Sequence, residues 1–169
     1  MAAVVVPKSL YEEAVRRGVD LEELIIKALS DALKLDPAST ARARLELAAK
    51  YLEEGKAFAD KDPVQASGKL YKAAEETVKA LAHFYALGEI LRRVEERGRW
   101  SVADLAKAVS AISKRLGEWF MHSWDAAWAL HVWGFHEAKL DAEDIRDRLP
   151  YIEKMVKDAQ KALSSAETP

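Results

Sequence analysis

Apolar residues recur along most of this chain at the three-to-four-residue spacing of a helix with one buried face, and the runs begin with the same capping chemistry. Before Leu21, Asp20 is placed to accept from amides of the first turn, Glu23 to reach back to the cap, and Val19 to staple against Leu24. Asp36-Pro37 and Asp62-Pro63 set a capping carboxylate before a proline at the first helical position, where a missing N–H costs nothing. Ser101 with Asp104, between Trp100 and Leu105, forms a capping box, and Asp141 with Asp144 repeats it between Leu140 and Ile145. Together they predict helix starts near residues 21, 37, 63, 102 and 142.

The faces that follow are amphipathic: Leu21, Leu24, Ile25, Ala28, Leu29, Ala32 and Leu33 in one helix; Ala41, Leu45, Ala48, Leu52, Gly55 and Ala59 in the next. From residue 63 on, Val64, Tyr71, Val78 and Tyr85 recur every seven residues, with Ser67, Ala74, Leu81 and Gly88 three positions later. That register suits a near-antiparallel neighbour, and its small residues allow close approach. Leu105, Ala108, Val109, Ile112 and Leu116 line another helix; Trp119 to Trp133 make one more, with Gly117 before it and Gly134 expected to end it. The last runs to about Leu163, with Pro150 either kinking it or marking its first turn. Outside Ala3 to Val6 there is no strand pattern, so the fold class is all-α, an antiparallel helical bundle. An N-terminal arm with a helical hairpin covers residues 1–35 and the bundle residues 36–169, the two expected to form one compact unit.

The composition removes several classes of function. With 169 residues and 50% hydrophobic content the chain can bury a continuous core. Charged residues make up 32%, yet the net charge is only -2, so no global field draws in nucleic acid or anionic lipid. The absence of cysteine excludes a disulfide framework, a thiolate nucleophile and a thiolate zinc site. Asparagine is also absent and glutamine occurs only at 65 and 160, which points to a heat-adapted, cytoplasmic protein. No apolar run is long enough to span a membrane. Paired acids such as Glu22-Glu23 and Glu75-Glu76 alternate with Lys and Arg and read as solvated polar faces.

Four of the 5 tryptophans fall at 119, 124, 128 and 133, beside Phe120, His122, His131, Phe135 and His136. On an α-helix Trp124, Trp128, His131 and Phe135 share one face. This slab reads as bundle core or dimer interface, as a ligand pocket with His131 and His136 as polar anchors, or as a base-stacking surface. The last is disfavoured because no Lys or Arg occurs between Leu116 and Ala138. His131 and His136 would lie about 140° apart on an α-helix, so no metal site is expected, and no cofactor motif is present.

Two segments, Gln65 to Glu76 (QASGKLYKAAEE) and Leu130 to Glu137 (LHVWGFHE), resemble the archaeal PaREP-one family, paralogous proteins without an assigned biochemical role. That family in turn resembles the wider HEPN group of helical bundles, over residues 37 to 163. The HEPN resemblance implies a metal-independent ribonuclease: an arginine, four to six residues, then a histidine at the start of the final helix, paired across a homodimer. Arg115 and His122 meet the loose spacing, but one helix too early. The N-terminus resembles a ribbon-helix-helix module: Val4-Val5-Val6-Pro7, a helix through Leu10, Tyr11 and Val15, Gly18, then the helix to Leu33. Its strand carries no polar side chain to read a base, which favours packing on the bundle or on a second subunit over DNA binding. The expected function is therefore a non-catalytic homodimeric interaction protein with a protein partner, the alternatives being a HEPN-type endoribonuclease or a small-molecule-binding module.

Overall fold

The computed structural model describes residues 2–166; Met1 and residues 167–169, the outer ends of the two expected units, lie outside the described residues. The helices are α1 (Lys8–Arg16), α2 (Leu21–Ala32), α3 (Pro37–Phe58), α4 (Pro63–Phe84), α5 (Gly88–Arg97), α6 (Val102–Leu116), α7 (Trp119–Ala129), a π-helical segment (Leu130–His136) that continues α7, and α8 (Ala142–Ala166). Among the described residues there is no strand, and Ala3 to Val6 is extended chain without a ladder partner.

All five expected starts fall where the caps place them. Asp36 accepts from the Ser39 amide at 2.8 Å and Asp62 from Gln65 at 3.0 Å. The Ser101–Asp104 box closes in both directions, and so does Asp141–Asp144, with both of its bonds at 3.1 Å. Asp20 caps α2 through the Glu22 and Glu23 amides, but Glu23 does not reach back. Its carboxylate goes instead to Arg44 on α3 and Lys79 on α4, because two buried cations outbid one exposed amide.

Long α3 and α4 form the spine, an antiparallel pair joined by a short turn in which the Lys61 and Asp62 amides both donate to the Phe58 carbonyl. Ala41, Ala48 and Gly55 on α3 and Ala66, Ala73 and Ala80 on α4 are buried at seven-residue intervals. A methyl on Gly55 would sit 2.6 Å from Leu70 Cδ2, so glycine there sets the approach of the pair. Helices α6, α7 and α8 pack around α4, closing a core of Leu70, Leu81, Ile112, Phe120, Leu130, Ile145, Ile152 and Met155.

Three expectations about helix ends are corrected. The heptad through Gly88 does not stay in one helix: α4 stops at Phe84, Ala86 turns left-handed at φ 50°, and α5 starts at Gly88. The Leu87 amide bonding back to the Ala82 carbonyl satisfies the end of α4 and reverses the chain. Gly134 does not end the aromatic helix, which widens into the π-helical segment and runs to His136. Pro150 lies inside a continuous α8, not in its first turn.

Candidate functional site

The two sequence segments singled out above meet in space. Gly134 of the π-helical segment packs against the Ser67 side chain of α4, so closely that a methyl at 134 would collide with it. One residue on, Phe135 lies over Gly68, where an added Cβ would come within 2.9 Å of its ring. Next along α4, Tyr71 stacks on His131 with ring centres 4.0 Å apart and planes at 24°. Trp124 and Trp128 pack on the same tyrosine at 5.8 and 6.3 Å. The expected slab thus exists as a shelf around Tyr71, with an uneven depth. Trp124 is buried, Trp128 and His131 are half-buried, and Phe135 and His136 face outward.

The widened turn also overturns the geometry expected for the histidines. The Glu137 amide donates to the carbonyl of Val132, five residues back, at 2.9 Å, in place of the α-helical partner. The extra residue in the turn brings His136 over His131, with Nε2 atoms 3.2 Å apart. Burial lowers the His131 pKa below its ordinary value, the neighbouring His136 adds to this, and the Glu75 carboxylate opposes it.

Arg115 and His122 stand elsewhere. Arg115, in the last turn of α6, stacks its guanidinium 4.6 Å over the Tyr85 ring. His122 is exposed on α7, and no hydrogen bond joins the two. Both precede the final helix α8 by the whole of the π-helical segment.

Periodicity missed a buried ionic cluster beneath α2. Arg44 on α3 and Glu76 and Lys79 on α4 are each about 5% exposed or less. Arg44 holds Glu76 at 2.8 Å and grips both oxygens of Glu23 at 2.9 Å. Lys79 holds Glu23 at 2.9 Å, Glu75 at 2.9 Å and Glu76 at 3.0 Å. Burial would raise the Glu23 pKa, but Arg44 and Lys79 outweigh it and hold the carboxyl far below the usual range. At Glu76 burial wins and the pKa is raised. His83 is pushed down to about 4 by burial and by the positive field of Arg44. Glu23, Arg44, Lys79 and His83 line a cleft of about 840 Å³ between α2 and α5, together with Leu24, Lys27 and Trp100. One signal was present in the sequence: Arg44 interrupts the apolar stripe of Ala41, Leu45 and Ala48, and Lys79 lies between Val78 and Ala80. The paired acids at 22–23 and 75–76 are accordingly not a solvated face, since Glu23 and Glu76 anchor α2 to the bundle and Glu22 bonds Tyr51 and Lys50.

Fold and site together define an all-helical bundle in which a π-helical turn sets paired histidines on an aromatic shelf of the central helix. The sequence model of the archaeal PaREP1/PaREP8 family matches residues 43–156, and the chain belongs to that family. It is similar to a protein of Sulfolobus solfataricus known from a crystal structure, at 38% identity over 69% of this chain and 95% of that one, with a TM-score of 0.64. A solution structure of the Orf c02003 protein matches at 37% identity over 69% of this chain and 90% of that one, with a TM-score of 0.61. No protein of curated function matches the chain. The family match begins at residue 43, so α1 and α2 lie outside it.

Proposed function

We propose that this protein is a homodimeric, non-catalytic interaction protein of heat-adapted cytoplasm, in which residues 1–35 act as an arm that pairs with a second copy. The observation that supports this is the arm's uncovered apolar surface. Val5 is 95%, Leu10 61%, Val15 58% and Leu33 64% exposed, and neither α1 nor α2 buries a single residue. Exposed apolar residues concentrated on one short arm support a surface that another molecule covers.

A second copy is the partner that fits. The extended segment Ala3 to Val6 presents unpaired backbone donors and acceptors, and one strand laid antiparallel on its own copy across a two-fold axis satisfies both at once. Behind that strand, the apolar residues of α1 and α2 would close over the same axis, as in the ribbon-helix-helix arrangement the sequence resembles. Light scattering on the full chain tests this. The expected mass is that of two chains, falling to one in a Leu10→Glu, Val15→Glu double variant whose helical circular dichroism is unchanged. A monomeric wild type, or a dimer that survives both charges, would overturn the proposal.

A further inference from the structure

From the π-helical turn we infer a second capacity, independent of the arm: His131 and His136 form a two-histidine site for a divalent transition-metal ion of the zinc class. Two imidazole nitrogens bound to a single ion at about 2.0–2.1 Å, with tetrahedral to octahedral angles, lie roughly 2.9–3.4 Å apart. The two Nε2 atoms are 3.2 Å apart. The rings stand edge to face at 83° with centres 4.5 Å apart, close enough for one ring's N–H to donate to the other's nitrogen, so an ion held by both Nε2 atoms would take the place of that proton, with each ring protonated at Nδ1.

The surroundings suit a cation. His131 is held in orientation by Tyr71 beneath it and Trp128 beside it, which fixes one ligand before any ion arrives. The Glu75 carboxylate, itself held by Lys79 at 2.9 Å, lies near enough to His131 to favour positive charge there. The π-helical turn is an uncommon and strained element, found mostly at functional positions, and here its consequence is the meeting of these two rings. Among the described residues no group of three or more His, Cys, Asp or Glu side chains is gathered for a metal, so water completes the coordination and the site is open.

Titrating zinc chloride into the full-length protein by calorimetry, in a non-chelating buffer at pH 7.5, tests the inference. Saturable binding is expected. It should weaken by at least about tenfold in His136→Ala, a variant that removes only an exposed side chain, and be unchanged in His122→Ala. Absence of saturable binding to the wild type, or affinity that His136→Ala leaves intact, would refute the site. Neither result bears on the mass measurement that tests the arm.

Discussion

Single residues carry the strongest electrostatic constraints in this molecule, and they lie under α2. Arg44, Lys79, Glu76 and Glu23 come from three helices and neutralise one another out of water, an arrangement in which losing one partner strands the others. His83 shares that environment and makes it pH-sensitive. In the folded chain its pKa is about 4, against an ordinary 6.5. Between those values the unfolded chain binds a proton that the folded chain refuses. Stability is therefore full above pH 6.5 and falls as the pH drops toward 4, by up to about 3 kcal/mol. The Glu23 carboxylate adds its loss only further down, below the ordinary glutamate range. Denaturant unfolding at pH 7 and pH 5 should show this loss in the wild type and much less of it in His83→Leu. Equal slopes with pH in both proteins would mean that His83 is not the group responsible.

At the scale of elements, the capping residues could be read directly because a cap is settled within four residues of chain. Asp36, Asp62, Ser101 and Asp141 each bond amides two or three positions away, and nothing distant intervenes. Asp20 worked as a cap while Glu23 did not, since Glu23 had better partners on other helices. Helix α5 escaped notice because only Ile90 in it is buried, and Leu91 and Val94 are its other large apolar residues among Glu and Arg. The π-helical segment was illegible for a different reason. Its register is fixed by close packing of Gly134 on Ser67 and of Phe135 on Gly68, contacts between distant parts of the chain. Gly134→Ala should therefore destabilise the protein by about 1–3 kcal/mol through overpacking, and should also separate the histidines. Thermal melts compared with Gly88→Ala, where an added methyl meets nothing within 4 Å, check this: equal melting temperatures for the two variants would contradict the packing argument.

On the whole-molecule scale, the family core and the N-terminal arm differ in kind. The core from α3 to α8 buries its apolar faces within one chain, whereas α2 is tied to it through the ion pairs of Asp20 and Glu23 and the packing of Ile26, and Leu10, Val15, Leu24, Leu29 and Leu33 of the arm stay exposed. The proposed assembly through the arm rests on that asymmetry. An endoribonuclease of the HEPN type would need Arg115 and His122 brought to one phosphate, yet Arg115 is occupied by Tyr85 and His122 stands apart from it. Incubated with unstructured and hairpin RNA in the absence of metal, the purified protein is expected to leave both intact. Cleavage that vanishes in His122→Ala would reverse that expectation.

By itself the sequence determined the all-helical class, the five capped starts, the family, and the aromatic and histidine segment as the chain's most unusual stretch. These follow from hydrogen bonds and periodicities that span a few residues, so neighbouring side chains suffice to specify them. Only the tertiary structure decided that His131 and His136 meet and that Glu23 is drawn onto Arg44 and Lys79 beside a buried Glu76. Both depend on which surfaces come together: a glycine on a serine widens one turn, and three helices close over one set of charges. No local pattern encodes either, because the interacting groups are neighbours in space and strangers along the chain.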